Sequence, residues 1–284
     1  MVSIDGQPDD TTHLGPSIRV CVPDDLVPSS AAAAAATVRP GSAGLRTTGS
    51  ETGYPTVGKF FFKVAHLVNF NCTGTVISAL SGQAALVLVA AHCLYGNYDD
   101  ITYGTDDWKF VPEWHDNKAP LGTWQIKQGY YPNLWPYNCH LGHCDFNPRY
   151  DFGLLIMKKL NNQFIGTDTG SDGWAVNEPQ TVGVTVAGIP GNSKETLISH
   201  SESHTVEPTG VESRQASTPG FGAGASGGPW FYKYSTSHRL GYLLGDTGGY
   251  QQGGASDSPS YTPFWTRYFS GFVNAVSDLE KPKK

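Results

Sequence analysis

The stretch Gly222-Ala223-Gly224-Ala225-Ser226-Gly227-Gly228-Pro229-Trp230 sets one serine among four glycines and follows it with a proline. It has too many glycines for a helix and too few β-branched residues for a strand interior. It reads as a tight loop that holds out a hydroxyl and free backbone N–H groups. A serine hydroxyl is a weak nucleophile until a neighbouring base takes its proton, and attack on a carbonyl creates an oxyanion that needs preorganised donors. The loop offers a nucleophile, Ser226, and two donors, the N–H groups of Gly224 and Ser226. Two further residues answer the need for a base and for a group to orient it. His92 follows the apolar run 84–90, and Asp151 opens the apolar stretch Phe152-Gly153-Leu154-Leu155-Ile156. Each alone is ambiguous, because a single histidine is more often structural than catalytic and many glycine loops are only turns.

The elements that must position these residues are strands. Of 284 residues, 15% are charged, 34 are glycine and 19 proline, which favours many short strands joined by tight turns. Segment 59–70 is strand-like, 73–80 reads as a second strand, and 84–90 as one buried on both faces. Further strand candidates lie at 108–113, 122–127, 152–158, 181–187, 196–204 and 240–245, with 129–150 as a polar, aromatic loop. At the end, Thr262-Pro263 offers an N-cap and a proline at the first helical position, followed by Phe264, Tyr268, Phe272, Val276 and Leu279 at helical spacing. This pattern predicts an amphipathic C-terminal helix over about 263–279, its aromatic face on the β body.

Residues 1–52 differ in texture from the rest, with Asp-Asp pairs, proline-rich turns and six alanines at 31–36. They are read as a propeptide-like or disordered segment, with Arg39 or Arg46 as processing points, ahead of a domain over 53–284. Four of the five cysteines fall into two close pairs, Cys72 with Cys93 and Cys139 with Cys144, leaving Cys21 over. This usage suits an oxidising compartment, so secretion is expected although no signal peptide is visible at the start. A net charge of −6 without a basic stripe argues against nucleic acid, and no apolar run is long enough to span a bilayer.

Taken together, Val89-Ala90-Ala91-His92-Cys93, Tyr150-Asp151-Phe152-Gly153-Leu154-Leu155 and Gly224-Ala225-Ser226-Gly227-Gly228-Pro229, in that order, resemble the chymotrypsin-like serine peptidases. The 75-residue step from Asp151 to Ser226 is similar to the bacterial glutamyl-endopeptidase branch and its secreted microbial relatives. The resemblance covers roughly residues 54–279. It implies an all-β fold of two six-stranded antiparallel β-barrels with a C-terminal α-helix and the active site in the cleft between the barrels. It also implies a secreted serine endopeptidase, without cofactor, acting as a monomer on protein or peptide substrates. His92 would be the general base, Asp151 would fix its tautomer, Ser226 would attack, and Gly224 and Ser226 would form the oxyanion hole.

The chain departs from the family pattern in places. Ala225 stands where many members have an aspartate that pairs with a freed N-terminal amine, so that activation switch is absent. The loop before Ser226 lacks a frequent cysteine and is expected to be held by packing alone. The resemblance places the primary pocket between 219–223 and 245–250; the second segment lacks the histidine of the glutamate-cleaving branch, Asp246 in it either attracts a basic side chain or faces solvent, and Gly220 speaks against a basic preference. Cys139-His140-Leu141-Gly142-His143-Cys144-Asp145 is read as a disulfide-closed loop rather than a zinc site. His200 and His204 are read as strand residues, not a metal pair. The rivals are a catalytically silent binding protein of the same fold and an esterase, which the order His, Asp, Ser opposes.

Overall fold

The computed structural model describes residues 53–64, 68–79, 85–95, 108–140, 143–256 and 258–279. The propeptide-like segment 1–52, with Cys21, lies outside them. Six strands close a first barrel in the order β1-β2-β3-β8-β5-β4. These are β1 (Val57–Val64), β2 (Val68–Ser78), β3 (Ala85–Val89), β4 (Lys109–Pro112), β5 (Trp124–Tyr130) and β8 (Gly153–Met157). The segment read as one strand over 59–70 is the corner of a hairpin, because β1 pairs back onto β2 from Val64↔Val68 to Val57↔Thr75. Both halves are rich in Phe and Val, so the reversal between them leaves no mark in the hydrophobic pattern. Inside the barrel, β3 shows five consecutive apolar residues, and Leu86, Val87, Leu88 and Val89 are all fully buried.

Part of the expected polar loop pairs as a hairpin, β6 (Pro136–His140) with β7 (His143–Phe146), closed by the Cys139–Cys144 bond. A second sheet follows, ordered β15-β12-β11-β10-β13-β14-β9. Its members are β9 (Gly173–Trp174), β10 (Thr181–Gly188), β11 (Leu197–Val206), β12 (Ser213–Ala216), β13 (Pro229–Ser235), β14 (Leu240–Asp246) and β15 (Ser260–Pro263). Six of them curl into the second barrel. Just past the end of β14, Gly248 N–H donates to the Tyr261 carbonyl of β15 at 3.0 Å, which brings the two edges together. The seventh, β9, adds in parallel at Tyr242↔Gly173. This is the expected double-barrel architecture. His200 and His204 lie on β11, where Thr185 and Thr181 Oγ1 meet their Nδ1 atoms at 2.9 and 3.4 Å.

A short helix, α1 (Ile165–Thr169), precedes β9, and the C-terminal helix is α2 (Arg267–Leu279). It starts later than the capping signal suggested. Thr262 and Pro263 are spent in β15, paired with Arg214 and Ser213, and Thr262 Oγ1 accepts the Asp246 N–H at 2.9 Å. The expected apolar face is otherwise real: Tyr268, Phe272 and Val276 are buried, while Leu279 is exposed. Phe269 adds to it, stacked on Trp265 at 3.7 Å and edge-on to Phe152 at 5.2 Å.

Candidate active site

Strand register brings His92 and Asp151 to one place. Strands β3 and β8 run antiparallel with Val89 opposite Gly153, so a residue just after β3 and one just before β8 share an end of the barrel. His92 sits in the 3₁₀ turn Ala91–Cys93, between the fully buried Ala90 and Ala91 and a Cys93 bonded to Cys72 of β2, with Cα atoms 6.4 Å apart. Asp151 follows a second 3₁₀ turn, Pro148–Tyr150, and Phe152 beside it is packed by α2.

The Asp151 carboxylate is wholly buried and accepts three hydrogen bonds. They come from His92 Nδ1 to Oδ2 at 2.8 Å, the His92 backbone N–H to Oδ1 at 2.9 Å, and Gly249 N–H to Oδ2 at 2.7 Å. A buried carboxylate with three donors is satisfied without water. It fixes the imidazole: with Nδ1 donating, Nε2 is left as an acceptor. Because both sulfurs of Cys72 and Cys93 are joined in a disulfide, their closeness to His92 is not a metal site.

Ser226 comes from the other barrel, on the loop between β12 and β13. The loop must press against the first barrel, and Gly227 permits it: a Cβ there, at φ +79°, would run into Thr73 O and lie 2.8 Å from Ala90 N. Gly224, at φ +99°, likewise abuts Gly191 N. The backbone bonds of the loop are selective. Ala225, Gly227 and Gly228 donate to the carbonyls of Gly222, Thr247 and Ala225 at 3.1, 2.7 and 2.9 Å. The N–H groups of Gly224 and Ser226 make no hydrogen bond among the described residues, so both donors stay free. Ala225 is 1% exposed and packs in the apolar cluster of Val186, Phe221 and Trp230, a place with no room for a charged pair.

The loop is not held by packing alone, as the missing cysteine suggested. Thr73 of β2 straps it: its N–H donates to Ser226 O at 2.8 Å and its Oγ1 donates to Gly224 O at 2.9 Å, while accepting Ile189 N–H at 2.8 Å. Sequence gave no signal for Thr73, because these contacts span 116 to 153 residues.

His92 and Ser226 line one crevice of about 400 Å³ between the barrels. Ser226 Oγ makes no hydrogen bond to the imidazole; such bonds are often long without substrate. The crevice also differs from the expected pocket. On the second wall only Thr247 of the 245–250 segment lines it, and Gln251–Ser256 and Ser260 take the remainder. Asp246 is fully buried behind that wall. Burial, and then the nearby Asp151 carboxylate, push the Asp246 carboxyl well above the usual carboxylate range. The Trp265 side chain beside it acts the other way, as a weaker influence toward the ionised form.

No protein-family model and no curated protein matches the chain. Solved structures do. The protease Anisep from Arthrobacter nicotinovorans is 29% identical over 79% of this chain and 97% of its own, with a TM-score of 0.62. A thermostable serine protease, AL20, from an extremophilic microorganism is 18% identical over 79% and 98%, with a TM-score of 0.64. A Glu endopeptidase is 16% identical over 79% and 91%, with a TM-score of 0.54. The last two speak for the fold alone. With its closed first barrel, curled second sheet and C-terminal helix, and with serine proteases for structural neighbours, the chain has the chymotrypsin-like serine protease fold, with no single branch marked out.

Proposed function

We propose that the protein is a secreted serine endopeptidase that cleaves peptide bonds through an acyl-enzyme. Ser226 Oγ attacks the scissile carbonyl while His92 Nε2 takes its proton. The N–H groups of Gly224 and Ser226 bind the oxyanion. His92 then gives the proton to the leaving amine, and a water activated in the same way releases the acyl group. Asp151 holds the imidazole in the tautomer that exposes Nε2 and stabilises the imidazolium. Two intramolecular disulfides fit an oxidising, extracellular setting, and residues 1–52 are assigned as the propeptide of a zymogen acting on protein or peptide substrates as a monomer.

The observation that carries this reading is the juxtaposition in one crevice: a histidine oriented by a buried carboxylate, a serine, and two backbone donors left unpaired beside it. A silent, protein-binding member of the fold is favoured by one observation, the missing hydrogen bond between Ser226 and His92. A fluorophosphonate probe separates the two. The wild-type protein should be labelled at Ser226 and should hydrolyse a casein or peptide substrate. Ser226→Ala should lose labelling entirely and activity by at least ~10³-fold. A wild-type protein that neither labels nor hydrolyses would leave the binding reading in its place.

A further inference from the structure

We infer that the crevice beside Ser226 selects an uncharged substrate side chain, a reading that rests on the peptidase assignment of the same site. With the scissile carbonyl over Ser226 Oγ and its oxygen toward the N–H groups of Gly224 and Ser226, the leaving amine must lie on the His92 side, since His92 returns the proton. The side chain that precedes the scissile bond therefore falls on the other side, between Phe221 and Ala223 of the serine loop and Thr247, Gln252 and Ser256 opposite.

Among the described residues that line the crevice, none is Asp, Glu, Lys or Arg. Its one titratable side chain, His92, is engaged by Asp151. The nearest acid behind the wall, Asp246, is fully buried, does not line the crevice, and is held toward its neutral form by its surroundings. A lysine, arginine, aspartate or glutamate entering here would give up part of its hydration and meet no counter-charge among the described residues. What the crevice offers is apolar surface and neutral donors. Ser260, 2% exposed, accepts the Thr218 hydroxyl at 2.6 Å, which leaves its own proton to donate.

The test measures binding separately from chemistry. A peptide series varied only at the residue before the scissile bond is titrated against Ser226→Ala, and hydrolysis of the same series is followed with the wild-type protein. Peptides with Leu, Phe or Gln should bind on the order of 100-fold more tightly than those with Arg, Lys, Asp or Glu. Ser256→Asp, at an exposed position, and Ser260→Asp, at a buried one, should each raise the relative affinity for Arg and Lys. Tighter binding of any charged series overturns the inference, and so does failure of every series to bind. Asp257 lies outside the described residues, and Asp257→Asn controls for its charge; a basic preference counts against the inference whether or not that variant abolishes it. If neutral peptides bind selectively but the wild-type protein leaves them uncut, the selectivity stands and the peptidase reading falls.

Discussion

Thr73 carries more of the candidate site than its position in the chain suggests. It is fully buried, and one hydroxyl serves both the Gly224 carbonyl and the Ile189 N–H. In Thr73→Val the shape is kept, but both backbone groups lose their partner, at a cost of about 1–3 kcal/mol if they stay buried. Relaxation of the loop would turn the free N–H groups of Gly224 and Ser226 away from the oxyanion. The expected outcome is a fall in kcat of ~10–100-fold with KM little changed, and recovery in Thr73→Ser, which keeps the hydroxyl. Steady-state kinetics on a peptide substrate checks this. A KM effect alone, or no recovery with serine, would show that the threonine matters only for packing.

At the scale of elements, α2 acts as a buttress under Asp151. Phe152, the next residue, meets Phe269 edge-on at 5.2 Å and Phe272 at 5.6 Å. Phe272 is fully buried in the cluster that also holds Leu154, Trp174 and Leu243, so the helix ties strands of both barrels to one apolar core. Phe272→Ala should cost ~3–5 kcal/mol of stability, as large-to-small changes in such cores do. Urea unfolding measures it. A loss below ~1 kcal/mol would mean that the helix is peripheral to the fold.

For the whole molecule, the question is what holds the barrels in one alignment across the crevice. Lys59 of β1 donates to Gly191 O at 3.1 Å, and its ammonium lies 5.3 Å from the Trp114 ring. Asp172, just before β9, is fully buried and accepts Gly241 N–H of the second sheet at 2.8 Å and Thr75 Oγ1 of the first barrel at 3.3 Å. Burial raises its carboxyl from 3.8 to about 7, against the pull of those hydrogen bonds. Between these two values the folded state keeps a proton that the unfolded chain has released. The stabilisation from the neutral form is therefore complete below about pH 4 and is lost as pH rises toward 7. Asp172→Asn stays neutral throughout. Between pH 4.5 and 7.5 the wild-type protein should lose about 3 kcal/mol of stability relative to the variant, measured by urea unfolding at each pH. A difference that does not change with pH would mean that the carboxyl ionises freely in the folded protein.

The candidate residues His92, Asp151 and Ser226, both cysteine pairs and the predominance of strands were legible in the chain, because each is written in a short stretch: glycine around a serine, apolar runs ended by His92 or begun by Asp151, cysteines close in sequence. The start of α2 was not, since Thr262 and Pro263 have the local signature of a helix cap but gain more from pairing with β12. The same holds for the β1–β2 corner, which only register defines. The strap from Thr73 depends on contacts between barrels more than a hundred residues apart, and the burial of Asp246 and the second wall of the crevice depend on how β13, β14 and β15 come together. Residue type determined which atoms are able to react. Long-range pairing decided what lies beside them, since a hydrogen bond or an uncharged wall exists only once distant strands have fixed their neighbours.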